Sequence, residues 1–104
     1  MATIYSQKLA SGGVTVGVVT AVYTAPAAGT VIIRDMQLSP QGDGPSKLVA
    51  YVGYPSQLMG VAGGAAYVSV AWEGRVVLDP GDVVSLYGED VGWEYYISGY
   101  VLLN

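Results

Sequence analysis

The sequence predicts an all-β fold, an antiparallel β-sandwich of about eight strands in a jelly-roll arrangement. Three observations carry that expectation. Apolar and polar residues alternate with period 2 along several stretches, most plainly from Trp93 to Leu103. Glycine and proline clusters divide these stretches into short runs. No window keeps a 3.6-residue apolar spacing over three helical turns, and chains of many short strands close into sandwiches or barrels.

Taken in order, Thr3 to Leu9 alternates weakly and reads as a short edge strand or an arm, with Ser11-Gly12-Gly13 as a turn, so that residues 1–13 are candidates for an N-terminal arm. Val14 to Tyr23 is β-branched at most positions, with Val14, Val16, Val18 and Val22 on one parity and Gly17 as a possible bend. Pro26 to Gly29 breaks the pattern and Thr30 to Ser39 resumes it. There Val31 and Ile33 fall on one parity and Met36 and Leu38 on the other. A β-bulge near Arg34-Asp35 would bring all four to one face, and one is predicted there.

Pro40 to Pro45 is a polar loop, and Ser46 to Tyr54 is a strand with Leu48, Ala50 and Val52 opposed to Val49 and Tyr51. Pro55 to Gly64 reads as the longest irregular stretch; its Leu58, Met59 and Val61, being apolar on a loop, are expected to cap the core or touch a partner. Ala65 to Trp72 is a strand, with Trp72 in the core, and Glu73-Gly74 marks a turn or bulge before Val76 to Leu78. In Asp79-Pro80-Gly81-Asp82, Pro80 presets φ and Gly81 takes the positive φ that a type II turn needs. Val84 and Leu86 follow on the next strand. Trp93, Tyr95, Ile97, Val101 and Leu103 then share one parity of the last strand, which should lie inside a sheet. Trp93 follows a glycine-containing turn and could be exposed enough to stack on a sugar, the lesser reading.

At 104 residues the chain is sized for a single domain with one modest core. Charged residues are 12%, about half the usual share, so part of the apolar surface should be buried between subunits. A net charge of −4 argues against a nucleic-acid surface, which needs clustered cations. With neither Cys nor His, there is no disulfide, no thiolate nucleophile or metal site, no histidine base, and no relay for the serines. Enzymatic activity and a cofactor are therefore not expected. No apolar run approaches the length of a bilayer span, and the first residues lack a basic n-region and an apolar h-region; a membrane location is not expected.

Nine tyrosines and no phenylalanine make tyrosine the informative residue type. If the aliphatic parity of each strand faces the core, Tyr51, Tyr67, Tyr87, Tyr96 and Tyr100 face away from it. They form a candidate subunit interface, because tyrosine gives large contact area with a hydroxyl that tolerates water. Asp79 and Asp82, with Glu89 and Asp90, could bind Ca²⁺ through oxygen, although turn aspartates ordinarily accept hydrogen bonds from their own backbone. Arg34 beside Asp35, and Arg75 two residues from Glu73, are expected to form local ion pairs.

The segments VYTAPAAGTVIIRDMQL (Val22 to Leu38), WEGRVVLDPGD (Trp72 to Asp82) and YISGYVL (Tyr96 to Leu102) resemble, in that order, a group of small tailed-bacteriophage virion proteins of head-decoration (cement), head-fibre and minor tail type. The resemblance implies jelly-roll domains that assemble as trimers, with Tyr23, Pro26, Gly29, Arg34, Trp72, Arg75, Pro80, Gly81 and Gly99 as scaffold positions and no catalytic residue to transfer. The function it implies is capsid decoration: a homotrimer on the virion surface, assembled in the host cytoplasm. Its partner would be the major capsid protein or another virion protein, touched through Ile4, Tyr5, Leu58, Met59 and Val61. The nearness of the last strand to the C-terminus favours the shell over a receptor-binding role. The alternatives are a minor tail or baseplate protein, and a carbohydrate-binding module that stacks Trp93 and nearby tyrosines on sugar.

Overall fold

The computed structural model of the chain describes residues 7–42, 46–54, 57–63 and 70–102, the stretch 57–63 through its backbone alone. Eight strands follow one another: β1 (Gln7–Val14), β2 (Thr20–Thr24), β3 (Thr30–Pro40), β4 (Ser46–Val52), β5 (Gln57–Gly63), β6 (Val70–Leu78), β7 (Val83–Glu89) and β8 (Trp93–Leu102). They form two four-stranded antiparallel sheets, β1-β8-β3-β6 and β2-β7-β4-β5. This order is that of one long hairpin rolled up on itself. β4 pairs with β5 at its tip, then β3 with β6, β2 with β7 and β1 with β8; the β3–β8 and β4–β7 pairings close the roll. The fold is a jelly-roll β-sandwich, and the last strand is interior to its sheet.

The core lies between the inner faces. Val31, Ile33, Met36, Leu38, Leu78, Trp93 and Ile97 come from the first sheet, and Leu48, Ala50, Val84 and Leu86 from the second, all buried. Val31, Ile33, Met36 and Leu38 share the core despite their mixed parity because the register of β3 shifts between Ile33 and Asp35, where the bulge was predicted. The shift is progressive across the sheet. Between the same two rungs the chain takes two residue steps on β8 (Gly99 to Ile97), three on β3 (Ile33 to Met36) and four on β6 (Val76 to Trp72). The path therefore lengthens towards the β6 edge, which bends the sheet around the core.

Gly99 sits at the tight side of that bend. A Cβ there would lie 2.0 Å from the Ile32 carbonyl oxygen and 3.0 Å from Ile33 Cα, so the approach of β3 to β8 admits no side chain.

Several expected boundaries differ. Ser11-Gly12-Gly13 is not a turn but part of edge strand β1, so only residues 1–6 of the expected arm lie outside the described chain. A Cβ on Gly12 would come within 3.0 Å of the Tyr95 hydroxyl, and the glycine leaves room for that ring. The expected strand from Val14 to Tyr23 is divided: Gly17, at φ 77°, turns the chain between β1 and β2, leaving Val14 buried while Val16, Val18 and Val19 are exposed. Pro55 to Gly64 is not one loop, since Gln57–Gly63 is β5, paired along β4. Glu73-Gly74 is the bulge rather than the turn of that expectation: β6 runs through it, and its register against β3 shifts between Glu73 and Val76.

Replacing Gly99 with Ala should destabilise the domain by about 3 kcal/mol, the upper range for overpacking, because the obstacle is backbone that cannot rotate away. Chemical denaturation checks this: the midpoint should drop with an unchanged slope.

Candidate interaction surfaces

Alternation against the buried core places Tyr96, Tyr100, Ser98 and Glu94 of β8 on the outer face of the first sheet. In register with them stand Ser11 and Gly13 of β1, and Ile32, Gln37 and Ser39 of β3. The Tyr96 end of this face forms a shallow open groove of about 520 Å³ lined by Ser11, Gly13, Gln37, Ser39, Glu94 and Tyr96. At the other end Ile32 lies between Val77 and Tyr100 in register, and Val77 is 51% exposed. Towards this end Ser98 Oγ donates to Asp35 Oδ1, fixing the bulge on its outward side.

The outer face of the second sheet carries Val49 and Tyr51 of β4 and Val83 and Tyr87 of β7, with Val49 opposite Tyr87. Tyr51 meets the exposed Tyr54 edge-on, the ring centroids 4.9 Å apart at 77°. The expected tyrosine interface is thus split: Tyr96 and Tyr100 lie on one outer face, Tyr51 and Tyr87 on the opposite one, and Tyr67 falls outside the described residues. Strand parity alone distinguishes inward from outward; it does not say which sheet a strand joins. Tyr23, by contrast, packs against the core, and burial raises its hydroxyl above the ordinary tyrosine value.

The connections gather at two ends. At one, the Gly17 N–H donates to Gly88 O (3.0 Å) and the Gln41 N–H to Gly92 O (2.8 Å), and the connection from β1 to β2 displays Val16, Val18 and Val19. The β-branched pattern of these valines reads as strand interior, and Gly17 is the sequence signal that they belong to a turn. At the other end, the Ala25 N–H donates to Asp82 O (2.8 Å), Gly81 N–H to Ala25 O (3.1 Å) and Gly53 N–H to Val83 O (2.9 Å).

Asp79-Pro80-Gly81-Asp82 occupies this second end as a closed turn that carries the chain from one sheet to the other. The Asp82 N–H donates to Asp79 O, Asp82 Oδ2 accepts from the Asp79 N–H at 2.8 Å, and Gly81 has φ 85°. Glu89 ends β7 and Asp90 follows it, about 20 Å away at the rise of a β-strand, so the four carboxylates do not form one calcium site.

Other site expectations are also corrected. Trp93 is not a surface platform for sugar: it is 1% exposed, in the core, where Gly88 makes room for it, since a Cβ there would lie 2.8 Å from its Cδ1. Its Nε1, like Ser46 Oγ, is buried without a hydrogen-bond partner among the described residues. Trp72 is half-buried rather than wholly in the core, its indole lying over Gly74. Neither arginine forms the expected local ion pair: among the described residues Arg34 and Arg75 have no carboxylate partner, and Asp35 is taken by Ser98. Of the expected shell contacts, Ile4 and Tyr5 lie outside the described residues. Leu58, Met59 and Val61 belong to edge strand β5 rather than a loop, Met59 and Val61 standing opposite Ala50 and Leu48 in register.

No family model and no curated protein matches the sequence. A solved structure does share the fold. A chain of the Bacillus endospore appendages, described as a family of disulfide-linked pili, is similar at TM-score 0.60 and 16% identity over 98% of this chain and 90% of its own. A chain of infectious bursal disease virus aligns at TM-score 0.46 and 12% identity, over 98% of this chain and 32% of its own length. The first likeness is one of fold, and without cysteine the present chain cannot form a disulfide link.

Replacing Gly81 with Ala should cost about 1–2 kcal/mol, because alanine at that positive φ is strained and the turn is tied at both sides to Ala25. The fall in Tm measured by differential scanning calorimetry checks it; an unchanged Tm would mean that the turn relaxes freely.

Proposed function

We propose that this chain is a non-enzymatic structural subunit of a bacteriophage particle, a capsid decoration protein that binds the outer surface of the shell as a homotrimer. The observation that supports it is the display of tyrosines on both outer faces of a closed jelly roll, with apolar side chains beside them at Val77 and Val49. Such side chains are what a small, charge-poor domain needs in order to associate. The sequence resemblance to virion proteins supplies the kind of particle. The mechanism needs no chemistry: a protein that binds only the assembled lattice stabilises it by RT ln(1 + [L]/Kd), about 2.7 kcal/mol per site at a hundred times Kd.

In a closed trimer each contact is head-to-tail, and with tyrosines on both outer faces it sets the first-sheet face of one copy against the second-sheet face of the next. Contacts of this kind make rings when the rotation closes and filaments when it does not. Opposed faces favour a second reading on that ground, a stacking subunit of a fibre or tail, and the pilus protein shares the fold alone.

Light scattering separates the readings. A closed trimer has a fixed mass of about three times 10.8 kDa and falls to monomer with either Tyr96→Ser/Tyr100→Ser or Tyr51→Ser/Tyr87→Ser, because each contact uses both faces. Open stacking gives a mass that climbs with concentration. A monomer that neither binds purified heads nor raises their melting temperature overturns the decoration reading.

A further inference from the structure

β6 is an outer strand of the first sheet: it is paired to β3 on one side and, among the described residues, to no strand on the other. It is nine residues long and contains no proline. An edge of that length is a template for another strand unless something blunts it, and charged side chains are the usual device. The exposed row of β6 is Ala71, Glu73, Arg75 and Val77, with the two charges at its middle. Neither Glu73 nor Arg75 has an ion-pair partner among the described residues of its own chain.

Charges on an edge exclude any incoming strand that leaves them unpaired, and admit one that carries them in reverse order. The two charges of the segment Ala71 to Val77 are complementary under reversal about Gly74. Read antiparallel about Gly74, Glu73 falls opposite Arg75 and Arg75 opposite Glu73, Ala71 opposite Val77, and Trp72 opposite Val76. Alternation of half-buried and exposed residues is unbroken from Val70 to Val77, so this row keeps to one face despite the register shift against β3. At the centre Gly74 carries no side chain to obstruct its own copy. It is also held glycine from within, since a Cβ would lie 2.8 Å from Trp72 Cζ2.

We propose that β6 pairs with β6 of a second copy of this chain about a two-fold axis at Gly74, joining the two first sheets into one continuous eight-stranded sheet. Every contact is made twice, as a two-fold interface requires. The two Glu73–Arg75 pairs select this register and reject slips by two residues, which would put Arg75 opposite Arg75 in one direction and Glu73 opposite Glu73 in the other. The contact lies on the strand edge, so it leaves both tyrosine faces free. It therefore adds a second interface to the assembly rather than restating the first.

Charge reversal tests it on the full chain, by the mass of the assembly in size-exclusion chromatography with light scattering. Glu73→Arg alone and Arg75→Glu alone each place like charges opposite each other and should lower the mass by about twofold. The double reversal Glu73→Arg/Arg75→Glu restores the pairing and should restore the mass. Both residues are exposed, so circular dichroism should show the fold unchanged in every variant. Single reversals that leave the mass unaltered, or a double reversal that fails to recover it, overturn the proposal. Loss of the tyrosine contact reads out separately, as a change with the tyrosine variants that the charge variants do not share.

Discussion

The pairing of β3 with β8 is the constraint on which the rest depends. It joins Thr30 to Leu102 at one end and Pro40 to Trp93 at the other, and so ties the first third of the chain to its last strand. β1 can dock only once β8 is in place, and β6 only against β3; in the second sheet, β7 and β4 play the matching central parts. Long-range pairing of this kind closes large loops before it gains contacts, which makes such folds slow to form and dependent on close fit at the seam. At Gly99 the fit is a backbone against a backbone, and this glycine belongs to the packing of the sheet rather than to a turn.

From that seam the bend follows. With two, three and four steps between the same rungs on successive strands, the first sheet is short at its middle and long at the β6 edge. The shift lets Ile33 and Met36 both face inward and turns Arg34 outward, leaving Asp35 to accept from Ser98 rather than pair with its neighbour. One local irregularity thus determines which side chains the core keeps and which charges the surface receives. A regular β3 would have buried one pair of its four large apolar residues and exposed the other.

Much of this was legible in the residues. The parity break between Ile33 and Met36 announces the bulge, because no regular strand buries both pairs, and the unbroken alternation after Trp93 announces an interior strand. What was illegible has two physical causes. Glycine is read as punctuation, yet Gly12, Gly88 and Gly99 lie within strands and are glycine because Tyr95, Trp93 and the Ile32 carbonyl occupy the space a side chain would need. Trp93 shows the weight to give each signal: its parity with Ile97 placed it in the core, its position after Gly92 suggested exposure, and parity was the sounder guide. The second cause is that strand pairing comes from a neighbour's backbone. β5, rich in glycine and alanine, has little pattern of its own, and its place is set by the edge of β4.

The same distinction bears on how such a domain assembles. Side-chain parity sets the chemistry of a face, whereas topology decides which strand is left as an edge. Here the two give different symmetries. A head-to-tail contact between opposite faces closes into a ring or propagates as a filament, while a two-fold contact between edges ends after two copies. A subunit with one interface of each kind would link rings in pairs or join filaments side by side. With 12% charged residues, the domain has few charges with which to steer encounters, so two of them at the centre of an edge that is unpaired among the described residues give that edge a specificity the apolar faces lack.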